Sequence, residues 1–452
     1  MRSRNGPARH NLNPTRIVVA SFGAIILVGT LLLMLPIASR AAGGAGLLTG
    51  LFTATSATCV TGLVVADTWL NWTLFGQIVI LVMIQLGGLG FMTVLTLFSF
   101  AIHRRISLSE RLVMMSALNL NGLDGVLRLV RTAIKGTLLF EGAGAVVLSC
   151  CFVPEYGLGG GVWWGVFHAV SAFCNAGFDL MGEGGPFSSM TGYSRHPVVL
   201  LTLMVLIVAG GLGFFVWEDI RQAKRWKKLT LYSKLVLGAT LALILLGTAL
   251  VLAWEWGNPA TLGDMPVWGK CLNALFQSVT LRTAGFDAIG QGAMNPVTQL
   301  LSIPLMLIGG GSGSTAGGLK VGTLCILLLA LRAGLRGSSE VTVRGRAIPL
   351  RRVLDALTLS FVVIILFFLG MLALAGVDGV PLLDAAFETA SALGTVGLSM
   401  GVTPGLSVLS RVLVICMMFL GRVGILSFSM AFLTRSGRAP KIKYPAADVM
   451  VG

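Results

Sequence analysis

Eight stretches of the chain are apolar enough, and about long enough, to cross a lipid bilayer as helices. A membrane-spanning helix needs about 20 mostly apolar residues. The sixth stretch is long and is interrupted by a run of glycines. The stretches lie near residues 17–38, 74–100, 133–153, 197–217, 235–254, 297–331, 353–376 and 406–434. The pattern predicts an all-α membrane protein with eight transmembrane spans.

The connections between these stretches alternate in charge. Connection 1–2, and in part 3–4, 5–6 and 7–8, is poor in basic residues, whereas connections 2–3, 4–5 and 6–7 are basic, as are both termini. Basic residues favour the cytoplasmic side of a membrane. Both termini are therefore predicted to be cytoplasmic. The opposite side carries an excess of acidic residues, which attracts cations to the outer mouth.

Composition excludes a soluble protein. Of the 452 residues, 55% are hydrophobic and 11% are charged, whereas soluble domains carry about 25% charged residues. The net charge of +15 is better explained by membrane topology than by nucleic-acid binding. Seven cysteines without a CxxC pair do not indicate a disulfide framework. The first apolar run is expected to be a span and not a cleaved signal peptide.

A short motif recurs in each of the four non-cytoplasmic connections. The copies read FTATSATCVTGL from 52, FHAVSAFCNAGF from 167, FQSVTLRTAGF from 276 and FETASALGTVGL from 387. Their glycines, Gly62, Gly177, Gly285 and Gly397, are spaced by roughly a quarter of the chain. We therefore divide the chain into four repeats, 1–105, 106–223, 224–336 and 337–452, the last including the tail. Each repeat is predicted to be a helix, a pore helix with a glycine loop, and a helix, arranged around one central pore.

Loops of this kind suit a dehydrated alkali cation. Rings of backbone carbonyls replace its hydration shell, and glycine adopts the backbone angles that turn carbonyls inward. The preceding stretches, roughly 44–57, 162–172, 267–280 and 381–391, are predicted pore helices whose C-terminal ends direct partial negative charge at the ion. A tight external turn would explain one such loop, but four in register favour a pore.

The motifs CVTGL, CNAGF, LRTAGF and GTVGLS between paired spans resemble the Ktr/Trk/HKT superfamily of potassium transporters. The resemblance covers nearly the whole chain and is greatest to the bacterial KtrB-type membrane subunit. It implies potassium selectivity, because all four loops carry glycine, whereas serine in the first accompanies sodium transport in some plant members. The implied ion-coordinating carbonyls belong to Cys59, Val60, Thr61, Gly62, Cys174, Asn175, Ala176, Gly177, Arg282, Thr283, Ala284, Gly285, Gly394, Thr395, Val396 and Gly397.

The third copy departs from the other three. It has Val279 where the others have Ser56, Ser171 and Ser391, which puts the geometry of its carbonyls in doubt. We expect the side chain of Arg282 to lie behind the loop, because a cation inside the ring would repel the ion.

The run of small residues from Gly309 to Gly318 interrupts the sixth stretch. It lacks the G-K-[ST] ending of a phosphate-binding loop, and it predicts non-helical backbone inside a polar cavity. The resemblance implies an intramembrane gate, and a simple helix break is the alternative. Arg422, inside the last apolar stretch, is costly there and is expected to face this run. The implied gate residues are Gly310, Gly311, Ser312, Gly313, Ser314, Thr315, Gly317, Gly318, Lys320 and Arg422.

No catalytic or transition-metal motif is present in the sequence, so we expect no enzyme and no cofactor. The leading hypothesis is potassium uptake through a gated pore in the bacterial cell (inner) membrane, with sodium as a candidate modulator. The resemblance implies a homodimer and regulation by a cytoplasmic ring of nucleotide-binding RCK (KtrA-type) subunits. The alternative is a secondary transporter with a broken-helix substrate site, although all four loops fall on the same side.

Overall fold

The computed structural model describes residues 14–41, 43–90, 126–338 and 340–424, and the structural statements below concern these residues. The second part of the predicted second span, the basic connection that follows it, the end of the eighth predicted span and the C-terminal tail lie outside this part of the chain.

The described chain is almost entirely helical. Its helices are α1 (Pro14–Leu33), α2 (Leu47–Thr58), α3 (Thr68–Asn71), α4 (Leu74–Leu89), α5 (Val126–Phe173), α6 (Pro197–Leu212), α7 (Phe214–Ala223), α8 (Leu231–Glu255), α9 (Val267–Thr280), α10 (Pro296–Leu307), α11 (Val321–Leu335), α12 (Leu350–Asp378), α13 (Leu382–Gly394) and α14 (Val408–Val423). Five short 3-10 turns lie at 181–184, 191–193, 226–228, 291–293 and 403–405. Two short strands, β1 (Thr342–Val343) and β2 (Arg346–Ala347), pair antiparallel in the basic connection after α11.

Several helices are long and apolar enough to cross a membrane. Four described helices meet that test over Arg16–Leu33, Arg128–Phe173, Leu231–Glu255 and Leu350–Asp378. A fifth span results if α6 and α7, which are bent by 90°, are taken together. Helices α4, α10 and α11 are apolar but shorter. A helical membrane protein is thus what the sequence pattern predicted.

Two predicted elements are joined, and one is divided. The span predicted near 133–153 and the pore helix predicted near 162–172 are two arms of α5, which bends at Gly157 (φ 71°, ψ 171°). The long stretch predicted at 297–331 is two helices, α10 and α11, on either side of the glycine run. These breaks coincide with glycine, which alone adopts such backbone angles without strain.

Beside an apolar core, many polar residues are buried and many large apolar residues are exposed, which is unusual for a soluble domain. The short helices α2, α9 and α13 are buried along much of their length and include Thr53, Ser56, Gln277 and Ser391. The long helices α8 and α12 expose large apolar side chains such as Phe361. This arrangement suits lipid as the solvent and places the polar short helices at the centre of the molecule.

Candidate functional site

The four loops that follow the short helices share one backbone conformation. We call residues 59–62, 174–177, 282–285 and 394–397 the glycine loops. Each has positive φ at its glycine and at the residue two positions before it. The φ values are 56° and 91° for Val60 and Gly62, 60° and 69° for Asn175 and Gly177, 65° and 79° for Thr283 and Gly285, and 52° and 98° for Thr395 and Gly397. Residues other than glycine rarely adopt positive φ. Because the same exception occurs at the same position of all four loops, the conformation is a specific feature of these loops.

The four glycines contact one another in a closed ring. A Cβ atom built on Gly177 would lie 2.8 Å from both the Ala284 carbonyl oxygen and the Cα of Gly285. Likewise, a Cβ on Gly62 would overlap the carbonyl oxygen of Ala176, one on Gly285 that of Val396, and one on Gly397 that of Thr61. The glycine loops therefore meet in chain order around a common centre, and no larger residue fits at these four positions.

Hydroxyl groups hold the glycine loops against the short helices. The Ser56 Oγ accepts a hydrogen bond from the Gly62 amide at 3.1 Å, and the Ser391 Oγ accepts one from the Gly397 amide at 3.0 Å. The Ser171 Oγ instead donates to the Phe178 carbonyl oxygen at 2.7 Å. All three hydroxyls are buried, so each of these bonds restrains the backbone at or beside a ring glycine.

The third glycine loop is built differently, as the absence of a serine at Val279 suggested. The neighbouring Thr280 Oγ1 donates to the Phe286 carbonyl oxygen at 2.7 Å, which matches the bond of Ser171. The Ala284 amide bonds to the Thr280 carbonyl at 3.0 Å, whereas its counterparts bond to the carbonyls of Ser56, Ser171 and Ser391. The third loop thus differs from the other three by a one-residue shift in this bond, while the signs of φ are retained.

Arg282 lies at the start of the third glycine loop with its guanidinium held by backbone carbonyls. One Nη donates to the Gly309 carbonyl oxygen at 3.2 Å, and the other lies 3.5 Å from the Thr240 carbonyl oxygen of α8. Both partners lie outside the ring of glycines. Its side chain therefore lies beside α8 and the start of the glycine run, with 8% of the residue exposed.

The segment 309–318, which we call the Gly-rich segment, packs directly on two of the glycine loops. The Thr315 Oγ1 donates to the Phe173 carbonyl oxygen at 3.1 Å. A Cβ on Gly317 would overlap the hydroxyl of Thr395, and one on Gly318 would lie 3.1 Å from the Gly394 carbonyl oxygen. The Thr315 Oγ1 also lies 3.4 Å from the side-chain amide of Asn175. The segment therefore contacts the second glycine loop and the end of α5 just before it, and the first two residues of the fourth glycine loop.

Hydrogen bonds of its backbone anchor the Gly-rich segment to four helices, α6, α7, α8 and α11. The bonds join Gly311 N to Gly211 O at 2.8 Å, Phe214 N to Gly313 O at 3.0 Å, Val321 N to Gly310 O at 2.9 Å and Ser312 N to the Tyr232 hydroxyl at 2.8 Å. The Ser314 Oγ is buried without a partner among the described residues. The segment is therefore held from its ends and sides, although it has no regular structure.

Two basic side chains complete these contacts. The Arg422 guanidinium donates to the carbonyl oxygens of Thr315 and Gly87, and to that of Gly88 at 3.1 Å. Lys320 Nζ donates to the Ala316 carbonyl oxygen at 2.5 Å and lies 3.4 Å from that of Gly317. The Gly-rich segment is thus connected to α4 and α14 through a single arginine.

A second set of glycines, which was not predicted from the sequence, supports the ring. The stretches LGGLGF from 86, AGGLGF from 209 and LGRVGI from 420 end α4, α6 and α14 at glycines with φ of 78°, 96° and 87°. Cβ atoms on Gly87, Gly210 and Gly421 would overlap the carbonyl oxygens of Thr58, Phe173 and Leu393. The repeated GGLGF was the available signal, and Arg422 occupies the position of its second glycine.

Two aspartates lie beyond the ring, each two residues after a glycine. Burial raises the pKa of Asp287 to about 7 and that of Asp179 to about 6. The charge of Asp179 adds to the rise at Asp287, against hydrogen bonds from Gln291 at 2.7 Å and from the Ile289 amide at 3.2 Å. The acidic face expected from the sequence therefore includes carboxyl groups that titrate near neutral pH.

These features define a helical membrane protein with a central ring of four glycine loops. The sequence model of the TrkH family, described as a cation transport protein, matches residues 5–440. The chain belongs to the TrkH family. The resemblance inferred from the glycine motifs is confirmed, as is the expectation that the chain is not an enzyme, because this is a family of transport proteins.

Relatives of the same length support the assignment. The chain is 41% identical to the Potassium/sodium uptake protein NtpJ of Enterococcus hirae, with 98% of both chains covered. It is 39% identical to the Ktr system potassium uptake protein B of Bacillus subtilis, with 97% of both covered. The crystal structure of the potassium transporter TrkH from Vibrio parahaemolyticus matches 95% of this chain and 86% of its own at a TM-score of 0.73 and 18% identity, which supports the fold.

Proposed function

We propose that this chain is a potassium-uptake protein in which ions pass through the centre of the ring of glycine loops. The main support for this proposal is the ring itself. Its four glycines are in mutual contact, and each loop has positive φ at the same two positions. The relatives named as potassium uptake proteins cover nearly the whole chain, which supports potassium as the ion.

The chemistry of the ring suits a dehydrated cation. Backbone carbonyls are neutral oxygen ligands that replace a hydration shell, and the sixteen residues of the glycine loops supply them. Helices α2, α5, α9 and α13 end within two residues of these loops. Their C-terminal ends therefore add partial negative charge near the ring. Four repeats of helix, pore helix and helix, with eight spans in all, would place one pore in each chain.

The Gly-rich segment is the proposed gate. It packs on the Phe173 carbonyl and on Thr395, so it lies next to any ion that leaves the ring on that side. Backbone hydrogen bonds and Arg422 hold it there. Because ten small residues in succession have little preference for a helix, such a segment can leave this position without unfolding a span.

We also propose the assembly implied by the resemblance: a homodimer in the bacterial cell membrane, with both termini cytoplasmic and an RCK ring as regulator. The name "Ktr system" of three relatives supports a multi-component system. The basic connections with exposed Lys227, Lys228, Arg344 and Arg346 supply a charged surface on the expected cytoplasmic side. Sodium is a candidate modulator, as one relative is named for both ions.

The test is rubidium uptake into liposomes that contain the purified chain, compared with a variant lacking Gly310 to Gly318. Faster uptake by the deletion, inhibited by potassium more strongly than by sodium, is expected for a selective pore closed by this segment. Both proteins are checked for folding by gel filtration and circular dichroism. Absence of cation flux in both folded proteins would overturn the pore and favour a secondary transporter.

A further inference from the structure

An ionisable side chain lies in the first arm of α5, within the apolar sequence LLFEGAGAVVL. This residue, Glu141, has 7% of its surface exposed. Ionisable groups in a spanning segment are costly and usually face a partner or a polar cavity. Among the described residues no lysine or arginine forms an ion pair with it. The role of this buried carboxyl group is not explained by the glycine loops or the Gly-rich segment alone.

The carboxyl group of Glu141 lies directly behind the second glycine loop. The Gln85 Nε2 of α4 donates to its Oε2 at 3.2 Å. The thiol of Cys174, the first residue of that loop, lies 3.8 Å from its Oε1 and 3.7 Å from the Gln85 Oε1. The three side chains form a closed polar cluster, which we call the Glu141 cluster.

The Glu141 cluster packs against the end of α4, which binds Arg422 and is thereby connected to the Gly-rich segment. A Cβ on Gly88 would lie 2.6 Å from the Cys174 Sγ, so α4 closes tightly over the thiol. The carbonyl oxygen of the same Gly88 accepts a hydrogen bond from Arg422 at 3.1 Å. Movement of Cys174 is therefore opposed from two sides, by the cluster and by α4.

The neighbouring glycine loop has no similar support. At the position that matches Cys174, the third loop has Arg282, whose guanidinium bonds to the Gly309 and Thr240 carbonyls. The second loop is thus backed by a carboxyl group and the third by a guanidinium. This difference adds to the shifted hydrogen bond at Thr280 and makes the second and third loops chemically distinct.

We propose that Glu141 is a positioning residue that determines ion specificity through Gln85 and Cys174. Selection between alkali cations depends on the size of the carbonyl cage and on the number and field strength of its ligands. A carboxyl group that restrains Cys174 restrains its carbonyl, and with it the cage offered to the ion. This inference rests on the proposed pore and adds a selectivity determinant outside the glycine loops.

The experiment measures inhibition of rubidium uptake by potassium and by sodium in liposomes containing the full chain. Glu141→Leu and Gln85→Leu are each expected to lower the preference for potassium about fivefold, the size of one lost buried hydrogen bond. Glu141→Gln, which keeps the shape and the hydrogen-bonding oxygen, is expected to stay within about twofold of the unchanged chain. The double variant should shift no further than either single variant, because both act on one cluster.

Glu255→Gln is the matched control. Glu255 is also buried, but its carboxylate binds Thr261, Thr298 and the Asn295 amide at the end of α8, away from the glycine loops. The preference of the Glu255→Gln variant for potassium over sodium should equal that of the unchanged chain. Equal loss of rubidium and sodium flux in the two leucine variants, with the preference intact, would overturn the inference. If Glu141→Leu does not fold, Gln85→Leu decides. Absence of selective uptake by the unchanged chain would instead overturn the proposed pore.

Discussion

At the residue scale, two separate constraints require glycine at the ring positions. One is conformational, since Gly62 has a φ of 91°, and the other is spatial, since a Cβ there would overlap the Ala176 carbonyl oxygen. The two constraints can be separated because Gly401 has a similar φ of 87° but open space around it. A substitution at Gly401 therefore shows the conformational cost alone.

Gly62→Ala is expected to abolish selective rubidium uptake, because the methyl group must displace a carbonyl that lines the ring. Gly401→Ala is expected to cost about 1 kcal/mol of stability while leaving uptake intact. Uptake and thermal unfolding in detergent measure the two effects. Equal uptake by the two variants would show that the space at the ring is not critical.

The second residue-scale prediction concerns pH. The pKa of Asp287 is about 7 in the folded chain, above the ordinary value of about 4. The protonated form is therefore favoured by folding, and this contribution to stability is full below pH 4 and is lost as pH rises through 7. Negative charge near Asp179 and Asp67 increases over the same range, so rubidium uptake should rise with external pH.

Asp287→Asn is expected to flatten the rise in uptake between external pH 5.5 and 8, a range spanning the folded-state pKa of about 7. Asp264→Asn, at an exposed aspartate of the preceding loop, serves as the control and should keep the rise. An unchanged pH profile in Asp287→Asn would show that this carboxyl group does not contribute to the field at the outer mouth.

At the element scale, glycine decides where helices bend. Helix α5 turns at Gly157, whose φ of 71° and ψ of 171° are reached almost only by glycine. Helices α4, α6 and α14 end at glycines with similar angles, and α7 leaves α6 at 90°. The bend at Gly157 converts one continuous helix into a span and the short arm that ends at the second glycine loop.

Gly157→Ala is expected to destabilise the protein by about 1–3 kcal/mol, the cost of a strained backbone conformation. Gly159→Ala, two residues away in the same helix, is the control. Both positions have open space for a Cβ, but only Gly157 has positive φ. The control should be neutral or slightly stabilising, as alanine favours helix. Equal melting temperatures would argue against the bend as the source of strain.

At the scale of the whole molecule, Arg422 joins segments that are far apart in the chain. Its guanidinium connects α14 to the Gly87 and Gly88 carbonyls of α4 and to the Thr315 carbonyl of the Gly-rich segment. Hydrogen bonds to a charged group contribute about 1.5–3 kcal/mol each. Loss of this side chain should therefore release the proposed gate more readily than any change within a single helix.

Arg422→Gln is expected to increase resting rubidium uptake about tenfold, which corresponds to ~1.4 kcal/mol. Arg411→Gln is the control, because Arg411 lies in the same helix and donates to the Pro404 carbonyl at 2.9 Å, away from the Gly-rich segment. Its uptake should match that of the unchanged chain. A fall in uptake by folded Arg422→Gln would contradict a closing role.

The sequence by itself determined the class of the protein and the position of its central loops. A helix in contact with lipid must be apolar along its length, so the spans can be recognised in the sequence. Each ring glycine is required by its own φ, so the glycine loops can be recognised there as well. In the third copy, Thr280 directly follows Val279, the position at which the other copies have serine, so its hydroxyl was also visible in the sequence. The GGLGF repeat was also visible in the sequence, although no role was predicted for it.

Only the tertiary structure decided which distant residues meet. The closed order of the four glycines, the three carbonyls bound by Arg422, and the contact of Glu141 with Cys174 all join separate repeats or elements. The periodicity of apolar residues does not indicate such contacts. They depend on where helices bend and on the space that is left where glycine has no side chain. The sequence specifies the loops, whereas packing decides which side chains support them.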